Sequence, residues 1–376
     1  MDARYRVGLM DWLACAFAGR EQKAPTAARA AGGDLSDRVI AAGAAGHVLD
    51  FDDTYVPGLA HLTAPVAPAA CLLGAEVGAS IGDLLDAYAA GFEAMGAVAR
   101  AGHPTLYDRG WHPTSVCGVI GSAVASAKLL GLNEARTESA TTLSLLSAAG
   151  HQSAFGSDAK SLQVGFAAAA GVRAARLAAH GAQAGDRVRK GFEETYGAPW
   201  AEPDPAHPAV TENWIKAYPC CLQTHGAIEV AEQARAAGIS PPIGVVVHPV
   251  SRRAAPYDDV VDGLQAKFSI PYTVAFTLLH GPPRASDFTR VDPDARRLAS
   301  DVKVETDASL LESEARLTGQ DGFEARVEAA LGSPQRPMTA AQLKDKVASL
   351  AGDALSGALE NPNGPAKAVV GAARLP

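Results

Sequence analysis

Long apolar runs rich in alanine and glycine dominate the first 190 residues of the chain. These runs lack the alternation of half-buried strands and are longer than most strands, so the pattern predicts α-helices. Their small residues let helix backbones approach closely, and their apolarity indicates burial on most sides. After an amphipathic helix at the start of the chain, we expect closely packed helices at residues 67–77, 84–98, 119–130, 139–149 and 164–182.

The pattern changes near Pro203, where the segment EPDPAHPAV indicates a hinge or loop. Strand-like and helical segments then alternate, at residues 227–237, 245–250, 272–279, 302–306 and 323–329. From Thr339 the pattern is helical again. The predicted fold class is therefore mainly α with an α+β second domain. We expect a discontinuous all-helical domain, residues 1–206 and 338–376, and a smaller α+β domain, residues 207–337.

Composition excludes several classes of function. The chain has 376 residues, of which 48% are hydrophobic and 20% charged, as is typical of a globular protein. Its formal net charge of -8 disfavours nucleic acid as a partner, because phosphate binding needs clustered lysine and arginine. Charges interrupt the apolar runs, so we expect no membrane span and no signal peptide. Five scattered cysteines without a CxxC pair disfavour zinc and disulfides, and a cytoplasmic setting is expected.

The segment GHVLDFDDTYVPGLAH, residues 46–61, concentrates histidines and aspartates after a predicted helix. His47, Asp50, Asp52 and Asp53 offer nitrogen and oxygen atoms that could hold a metal ion. Alternatively, an aspartate orients a histidine that transfers a proton. Asp50 and Asp53 are also consistent with helix caps or with partners of lysines. The residues alone leave these interpretations open.

A second cluster, GWHPTS, places His112 at the predicted start of an apolar helix. Thr114 or Ser115 is a natural N-cap there. Helix N-termini attract carboxylates, so His112 is a candidate for the edge of an anion site. Taken alone, the cluster is more typical of a cap with an incidental histidine.

Three further segments contribute lysines close to helix starts or turns. Lys160 lies before a long, nearly uncharged helix, where it must pair, extend to water or bind an anion. Lys216 and His225 flank a turn that contains Cys221. The segment QAKFSIPYTVAFTLLHG brings together, at the head of a helix, Lys267, Ser269 and Tyr272. Each lysine alone is more typical of a surface position.

Together the clusters supply cations, imidazoles and hydroxyls from both predicted domains. The sequence shows no phosphate loop, no GxGxxG motif and no serine-hydrolase elbow. Cations combined with general acids and bases suit a small polycarboxylate substrate. Binding fixes the carboxylates, a base removes a proton from the adjacent carbon, and the same cations stabilise the enolate-like charge.

The five clusters, in this order, resemble those of the MmgE/PrpD family, which includes 2-methylcitrate dehydratase, cis-aconitate decarboxylase and iminodisuccinate epimerase. The motifs that carry the resemblance are LDFDDT followed by a histidine, GWHPTS, the lysine before an alanine-rich helix, and AKFSIPYTVA. They span the chain from about Asp11 to the C-terminal helix. The resemblance implies a site between the helical domain and an α+β lid, a homodimer, and no metal or other cofactor.

The resemblance also implies which residues form the site. The pocket of the decarboxylase branch matches Asp50, Thr54, His112, Lys160, Lys216 and Tyr272, and His61 corresponds to a proposed catalytic histidine. Gln163 stands where family members often carry a histidine, and Cys221 stands where the decarboxylase carries one. The chain is also expected to be shorter than typical members near the N-terminus and before residue 35.

We therefore predict a cofactor-independent lyase acting on a citrate-like or aconitate-like acid. The expected catalytic residues are His61 or His112 as base or acid, Asp50 to orient a histidine, and Lys216, which binds carboxylate together with Lys160. The other candidates for substrate contact are Thr54, Tyr272, His47, Gln163, Cys221 and His225. Two alternatives stay open: an isomerase or epimerase with two bases, and a non-catalytic carboxylate-binding protein.

Overall fold

Helices make up most of the chain before residue 200. In the computed structural model, which describes residues 2–185 and 187–376, they are α1 (Ala3–Gly19), α2 (Lys23–Ala31), α3 (Leu35–His47), α4 (Thr63–Glu76), α5 (Ile81–Gly102), α6 (Thr105–Asp108), α7 (Pro113–Leu129), α8 (Glu134–Ser144), α9 (Asp158–Ala179) and α10 (Arg187–Tyr196). The five predicted alanine-rich helices correspond to α4, α5, α7, α8 and α9, so this prediction is confirmed, except that α8 ends at Ser144, five residues before the predicted end.

Side-chain caps explain where two of these helices begin. At the start of α3, the Asp34 carboxylate accepts from the backbone N–H of Asp37, and Asp37 accepts from that of Asp34. Ser80 and Asp83 form the same reciprocal pair at the start of α5. Such capping boxes satisfy N–H groups that a helix start leaves unpaired. The last turn of α3 contains His47.

Glycines bring the helices that carry the candidate site close together. A Cβ atom on Gly165 would lie 2.4 Å from the carbonyl oxygen of Ile40, and one on Gly171 would lie 2.4 Å from the Cβ of Ser122. α9 therefore packs against α3 and α7 at distances that a larger residue would not allow. This packing sets how near a side chain on α9 comes to those at the ends of α3 and α7.

The second half of the chain combines helices with a small mixed sheet. A two-stranded ribbon, β1 (Thr54–Tyr55) paired antiparallel with β2 (Asn213–Trp214), links it to the first half. The sheet has the strand order β4-β3-β5-β6, with β3 parallel to β4 and the other pairs antiparallel. Its strands are β3 (Ile243–Val247), β4 (Val302–Thr306), β5 (Ala315–Thr318) and β6 (Glu324–Val327). The helices here are α11 (His225–Ala236), α12 (Pro249–Ala254), α13 (Gly263–Ala266), α14 (Ile270–His280) and α15 (Pro293–Ala299).

Two of the three predicted strands are confirmed, and the third is shorter than expected. The segment predicted as a strand at residues 245–250 divides at Pro249, where α12 begins. Proline lacks the N–H that a strand ladder needs, and its φ suits the first residue of a helix. β5 was not predicted, because four residues carry too little alternation to stand out.

Apolar side chains form two main cores, one in the helical part of the chain and one in the α+β part. One core joins residues between Tyr5 and Val210 to residues between Ala351 and Ala373. The returning C-terminal segment carries α16 (Ala340–Ala351) and α17 (Ala366–Ala372). The other core lies between Ala227 and Val327 and includes residues of α11, α14 and the sheet. The mainly α fold with a smaller α+β part is confirmed, while the boundaries at 206/207 and 337/338 stay a prediction.

The described helices differ in length and polarity. None of those in residues 2–185 and 187–376 combines the length and the apolar character needed to cross a bilayer. All five cysteines are buried as free thiols.

Candidate active site

The loop after α3 has an uncommon backbone conformation that distant lysines hold in place. Asp50 has a φ of 52°, a left-handed value that aspartate adopts more readily than most residues. The carbonyls of residues 49, 50 and 51 accept hydrogen bonds from Lys267, Lys216 and Lys346 at 2.6, 2.9 and 2.8 Å, respectively. All three lysines are buried, so these carbonyls replace water as their partners.

Asp50 is also the meeting point of two ammonium groups. Its Oδ1 lies 2.8 Å from Nζ of Lys160 and 2.9 Å from Nζ of Lys216. Burial opposes ionisation, but the two ammonium groups outweigh it and hold the pKa of Asp50 well below its usual range. The ordinary interpretation of these lysines as surface residues is therefore wrong. Within the described chain each ammonium group uses two of its three N–H donors, which leaves one for a ligand.

A second buried carboxylate, Asp52, lies between two histidines. Its Oδ2 is 2.8 Å from Nδ1 of His47 and 3.3 Å from Nδ1 of His61. The other ring nitrogen of His47 lies 2.9 Å from Nζ of Lys160. Burial disfavours the charged form of every group here. It lowers the pKa of His61 to about 3, so that imidazole is neutral near pH 7.

His112 lies on the opposite wall, at the N-cap of α7. Nε2 of Gln163 is 2.7 Å from its Nδ1, and its ring stacks on that of His47 with centroids 6.0 Å apart. Burial, together with the nearby ammonium group of Lys160, lowers the pKa of His112 well below its usual range. Two neutral imidazoles and two ammonium groups thus lie close to one another.

These groups line one small cavity of about 50 Å³. Its polar lining consists of Asp50, Thr54, His61, His112, Lys160, Lys216, Cys221 and Gln223. Its apolar lining consists of Leu59, Tyr107, Phe155, Leu222, Ala254 and Phe268. Seven residues of the predicted site are thus brought together from the segment between α3 and α4, the start of α7, α9 and the α+β half.

Four other predicted residues lie outside this lining in the described parts of the chain. The hydroxyl of Tyr272 accepts a hydrogen bond from the backbone N–H of Asp292 at 2.9 Å, in a separate apolar cluster. His225 is buried against the ring of Tyr218. The ring nitrogens of His47 are used by Asp52 and Lys160, and Gln163 lies behind His112. The expected direct contact of these four with a substrate does not fit their placement.

The structure also corrects the expected helix caps. Neither Asp50 nor Asp53 caps α4, which begins after Leu62 without a side-chain cap. Asp53 instead accepts from the hydroxyl of Thr63 at 2.6 Å and from the amide of Asn213 at 2.7 Å. At α7 the N-cap is His112, because Pro113 takes the first helical position. Thr114, expected as a cap, accepts from the backbone N–H of His61 at 3.0 Å.

The metal interpretation does not fit the donor set. His47, Asp50, Asp52 and His61 do offer ligand atoms within 4.8 Å of one another, without Asp53. However, Oδ1 of Asp50 already accepts from two ammonium groups, and Nε2 of His47 faces one of them. A divalent cation at these atoms would lie close to two positive charges in a poorly screened site.

Sequence reasoning missed several residues that shape the site. Asp52 was considered only as a metal ligand, although it contacts two histidine rings. Lys267 was noted but not assigned to the site, and the apolar wall that includes Tyr107 and Phe155 was not foreseen. A lysine inside an apolar motif was a usable signal for Lys267. No sequence pattern marks the wall, since its members come from separate loops and helices.

Comparisons with known proteins identify the family of this chain. Residues 34–198 match the MmgE/PrpD N-terminal domain, and residues 218–362 match the MmgE/PrpD C-terminal domain. The chain belongs to the MmgE/PrpD family. It is 27% identical over 348 residues to a human protein named cis-aconitate decarboxylase, which covers 84% of this chain and 72% of that protein. It is 32% identical over 209 residues to a cis-aconitate decarboxylase of Aspergillus terreus, which covers 49% of this chain and 42% of the other.

Two positions where this MmgE/PrpD protein was expected to differ from its relatives lie on different layers of the site. Cys221 lines the cavity directly, and burial raises the pKa of its thiol to about 11, so it is neutral near pH 7. Gln163 lies one layer behind, against His112. Cys221 therefore changes what a ligand touches, whereas Gln163 changes what a histidine touches.

Proposed function

We propose that this protein is a lyase that acts on a small citrate-like or aconitate-like polycarboxylate by moving a proton on a carbon next to a carboxylate. One observation carries the proposal: a single cavity is lined by the ammonium groups of Lys160 and Lys216 and by the imidazoles of His61 and His112. The relatives named cis-aconitate decarboxylase support the same substrate class.

The two lysines supply the binding of carboxylates. Each ammonium group keeps one donor for a ligand, and charge-assisted hydrogen bonds to carboxylates are among the stronger ones in proteins. The rings of Phe155 and Phe268 line the same cavity with centroids 5.6 and 5.3 Å from Nζ of Lys160, and they keep water away from this charge. Exclusion of water strengthens electrostatic attraction, so a polyanion gains more here than at the protein surface.

The histidines supply the proton transfer. A neutral imidazole can accept a proton from the carbon next to a carboxylate, and the ammonium groups stabilise the enolate-like charge that develops. Dehydration follows if a hydroxyl then leaves with a proton from an acid. In decarboxylation, the electron pair of the broken carbon–carbon bond stays on carbon, where a proton replaces the lost carbon dioxide. Dehydration therefore uses a base and an acid, whereas decarboxylation uses an acid that protonates the carbon from which carbon dioxide has left.

A turnover screen by NMR in heavy water tests the proposal. The substrates are citrate, methylcitrate, cis-aconitate, trans-aconitate and iminodisuccinate, and loss of water or carbon dioxide from one of them is the expected result. Deuterium exchange without either loss would indicate an isomerase, and tight binding without any change would indicate a carboxylate-binding protein.

Matched lysine variants show whether turnover comes from this cavity. Lys160→Met should abolish it, whereas Lys303→Met removes an exposed ion pair with Glu305 and should leave it unchanged. Full turnover in Lys160→Met would contradict the proposed site. The homodimer, which the family resemblance implies, and the cytoplasmic setting, which is expected from the cysteines, stay predictions.

A further inference from the structure

Each neutral imidazole in the cavity has one N–H donor and one lone pair, and its partners decide which nitrogen carries the proton. From those partners we infer that Asp52 and Gln163 set opposite tautomers on His61 and His112, which makes His61 the base and His112 the acid. The inference rests on the proposed function and assigns the two roles that it leaves open. Asp52 and Gln163 act as positioning residues, because neither lines the cavity.

Asp52 places the proton of His61 on Nδ1. The carboxylate is fully buried and can only accept hydrogen bonds, and it lies 3.3 Å from Nδ1 of His61. The hydroxyl of Thr54 lies 3.5 Å from the same nitrogen and can accept as well as donate, so it is compatible with an N–H there. Nε2 of His61 is 3.8 Å from Oδ1 of Asp50, too far for a hydrogen bond, and that oxygen already accepts from two lysines. Nε2 therefore keeps its lone pair.

His47 holds Asp52 in the ionised, accepting state. Its Nδ1 lies 2.8 and 3.1 Å from the two carboxylate oxygens, and its Nε2 lies 2.9 Å from Nζ of Lys160. An ammonium group can only donate, so Nε2 of His47 is the acceptor and Nδ1 carries the proton. Asp52 thus accepts the N–H of His47 and lies 3.3 Å from Nδ1 of His61, so it stays an ionised acceptor facing both rings.

Gln163 imposes the reverse tautomer on His112. Its Oε1 accepts from the backbone N–H of His151 at 2.9 Å, and its Nε2 lies 3.3 Å from the carbonyl of that residue. These two backbone contacts determine which end of the amide is which. The NH₂ group therefore points at Nδ1 of His112, 2.7 Å away, and that nitrogen must supply a lone pair. The ring proton of His112 is left on Nε2.

The chemistry of residue 163 explains why this position matters. A histidine there could donate or accept and would leave the tautomer of His112 open. A glutamine whose oxygen is already engaged can only donate, so it commits His112 to the Nε2–H form. His61 therefore presents a lone pair that can accept a proton, and His112 presents an N–H that can donate a proton to a leaving group or to carbon.

The test uses Gln163→Glu and Asp52→Asn. A carboxylate at residue 163 accepts a hydrogen bond from Nδ1 of His112, so Gln163→Glu should move the ring proton of His112 to Nδ1. An amide at residue 52 can donate as well as accept, so Asp52→Asn no longer requires an N–H on Nδ1 of His61. Histidine labelled with ¹⁵N distinguishes the two neutral tautomers in long-range proton–nitrogen spectra, without any substrate, and His61→Gln and His112→Gln assign the signals. We expect Gln163→Glu to convert His112 to Nδ1–H and kcat to fall by about 10²–10⁴-fold in both variants, with a much smaller change in KM.

Two matched controls carry the same chemical changes elsewhere. Asp53→Asn alters the neighbouring buried carboxylate, which contacts Thr63 and Asn213 but no histidine. Gln342→Glu alters an exposed helix cap in which glutamate serves equally well. Both should leave the histidine spectra and kcat unchanged.

Two results would overturn the inference. One is an unchanged Nε2–H signal for His112 in folded Gln163→Glu, and the other is a kcat of the parent's size in that variant. Should Asp52→Asn fail to fold, Gln163→Glu alone decides, since residue 163 is only half-buried. If no polycarboxylate is turned over, the proposed function fails but the tautomers are still measured.

Discussion

Replacing Asp50 with asparagine should destabilise the ligand-free protein, because it turns an attractive cluster into a repulsive one. Lys160 and Lys216 both place Nζ within 3 Å of Oδ1 of Asp50, so the two ammonium groups lie within about 6 Å of each other. All three side chains are at most 8% exposed, so solvent screens them little. An asparagine keeps the shape but removes the negative charge that contacts both ammonium groups.

The size of the effect follows from Coulomb's law. Two unit charges about 6 Å apart at an effective dielectric constant of about 20 repel each other by about 3 kcal/mol. Breaking a buried ion pair by removing one partner costs about 3–5 kcal/mol in other proteins, which agrees with this figure. For a chain of this size, such a loss lowers the midpoint of urea unfolding by about 1 M.

Urea titration followed by circular dichroism measures the change, with Asp259→Asn as the matched control. Asp259 pairs with Arg296 in the open, where both side chains are at least 46% exposed, so its loss should cost less than about 1 kcal/mol. A citrate-like acid should restore more stability to Asp50→Asn than it adds to the parent, because it supplies the missing negative charge. A midpoint equal to that of Asp259→Asn would refute the reasoning.

Three further predictions concern packing and pH. Gly165→Ala should push α9 away from α3 and lower kcat/KM by at least about tenfold. The control Gly191→Ala lies in open space on α10 and should instead stabilise the protein by about 0.5–1 kcal/mol. Equal kcat/KM values in the two variants would contradict the prediction for Gly165. Burial lowers the pKa of His61 and His225 to about 3 from 6.5, so the unfolded chain binds more protons between these values. Stability should therefore fall as pH drops from 6.5 towards 3, and His225→Gln should flatten that slope in urea titrations. Burial raises the pKa of Asp53 from 3.8 to about 7, so between these pH values the folded chain binds more protons than the unfolded chain. The free energy of unfolding therefore decreases as pH rises through this range. Asp53→Asn should stabilise the protein at pH 8 by roughly 2–4 kcal/mol and much less at pH 4, and an equal gain at both would exclude this titration as its cause.

Much of the helical architecture was predictable from sequence because it is local. Alanine-rich runs of 11 or more residues have no other stable conformation when they are buried, and α4, α5, α7 and α9 lie where these runs predict. The prediction at residues 245–250 was wrong beyond Val247 because one proline outweighs the propensity of its neighbours. The unpredicted strand β5 forms because β3 and β6 offer it backbone partners on both sides.

The candidate site was likewise predictable from the sequence only in part. Motifs were sufficient to select Asp50, His61, His112, Lys160 and Lys216, which all line one cavity. Tyr272 came from an equally specific motif, yet its hydroxyl is used by the backbone of Asp292. A motif shows which residue types lie near a site, but the direction of each side chain depends on the elements packed around it.

The sequence by itself determined the helical core, the family and the types of side chain available for chemistry. Only the tertiary structure decided which of them are charged, which are neutral and which nitrogen of a histidine carries its proton. The physical reason is that burial and hydrogen-bond partners set these states, and the partners are far apart in the chain: Lys346 reaches the carbonyl of Phe51 across 295 residues, and Lys160 reaches His47 across 113. Patterns of neighbouring residues cannot predict such contacts. They form because the tertiary fold brings α9 and α16 to the end of α3 and the loop that follows it.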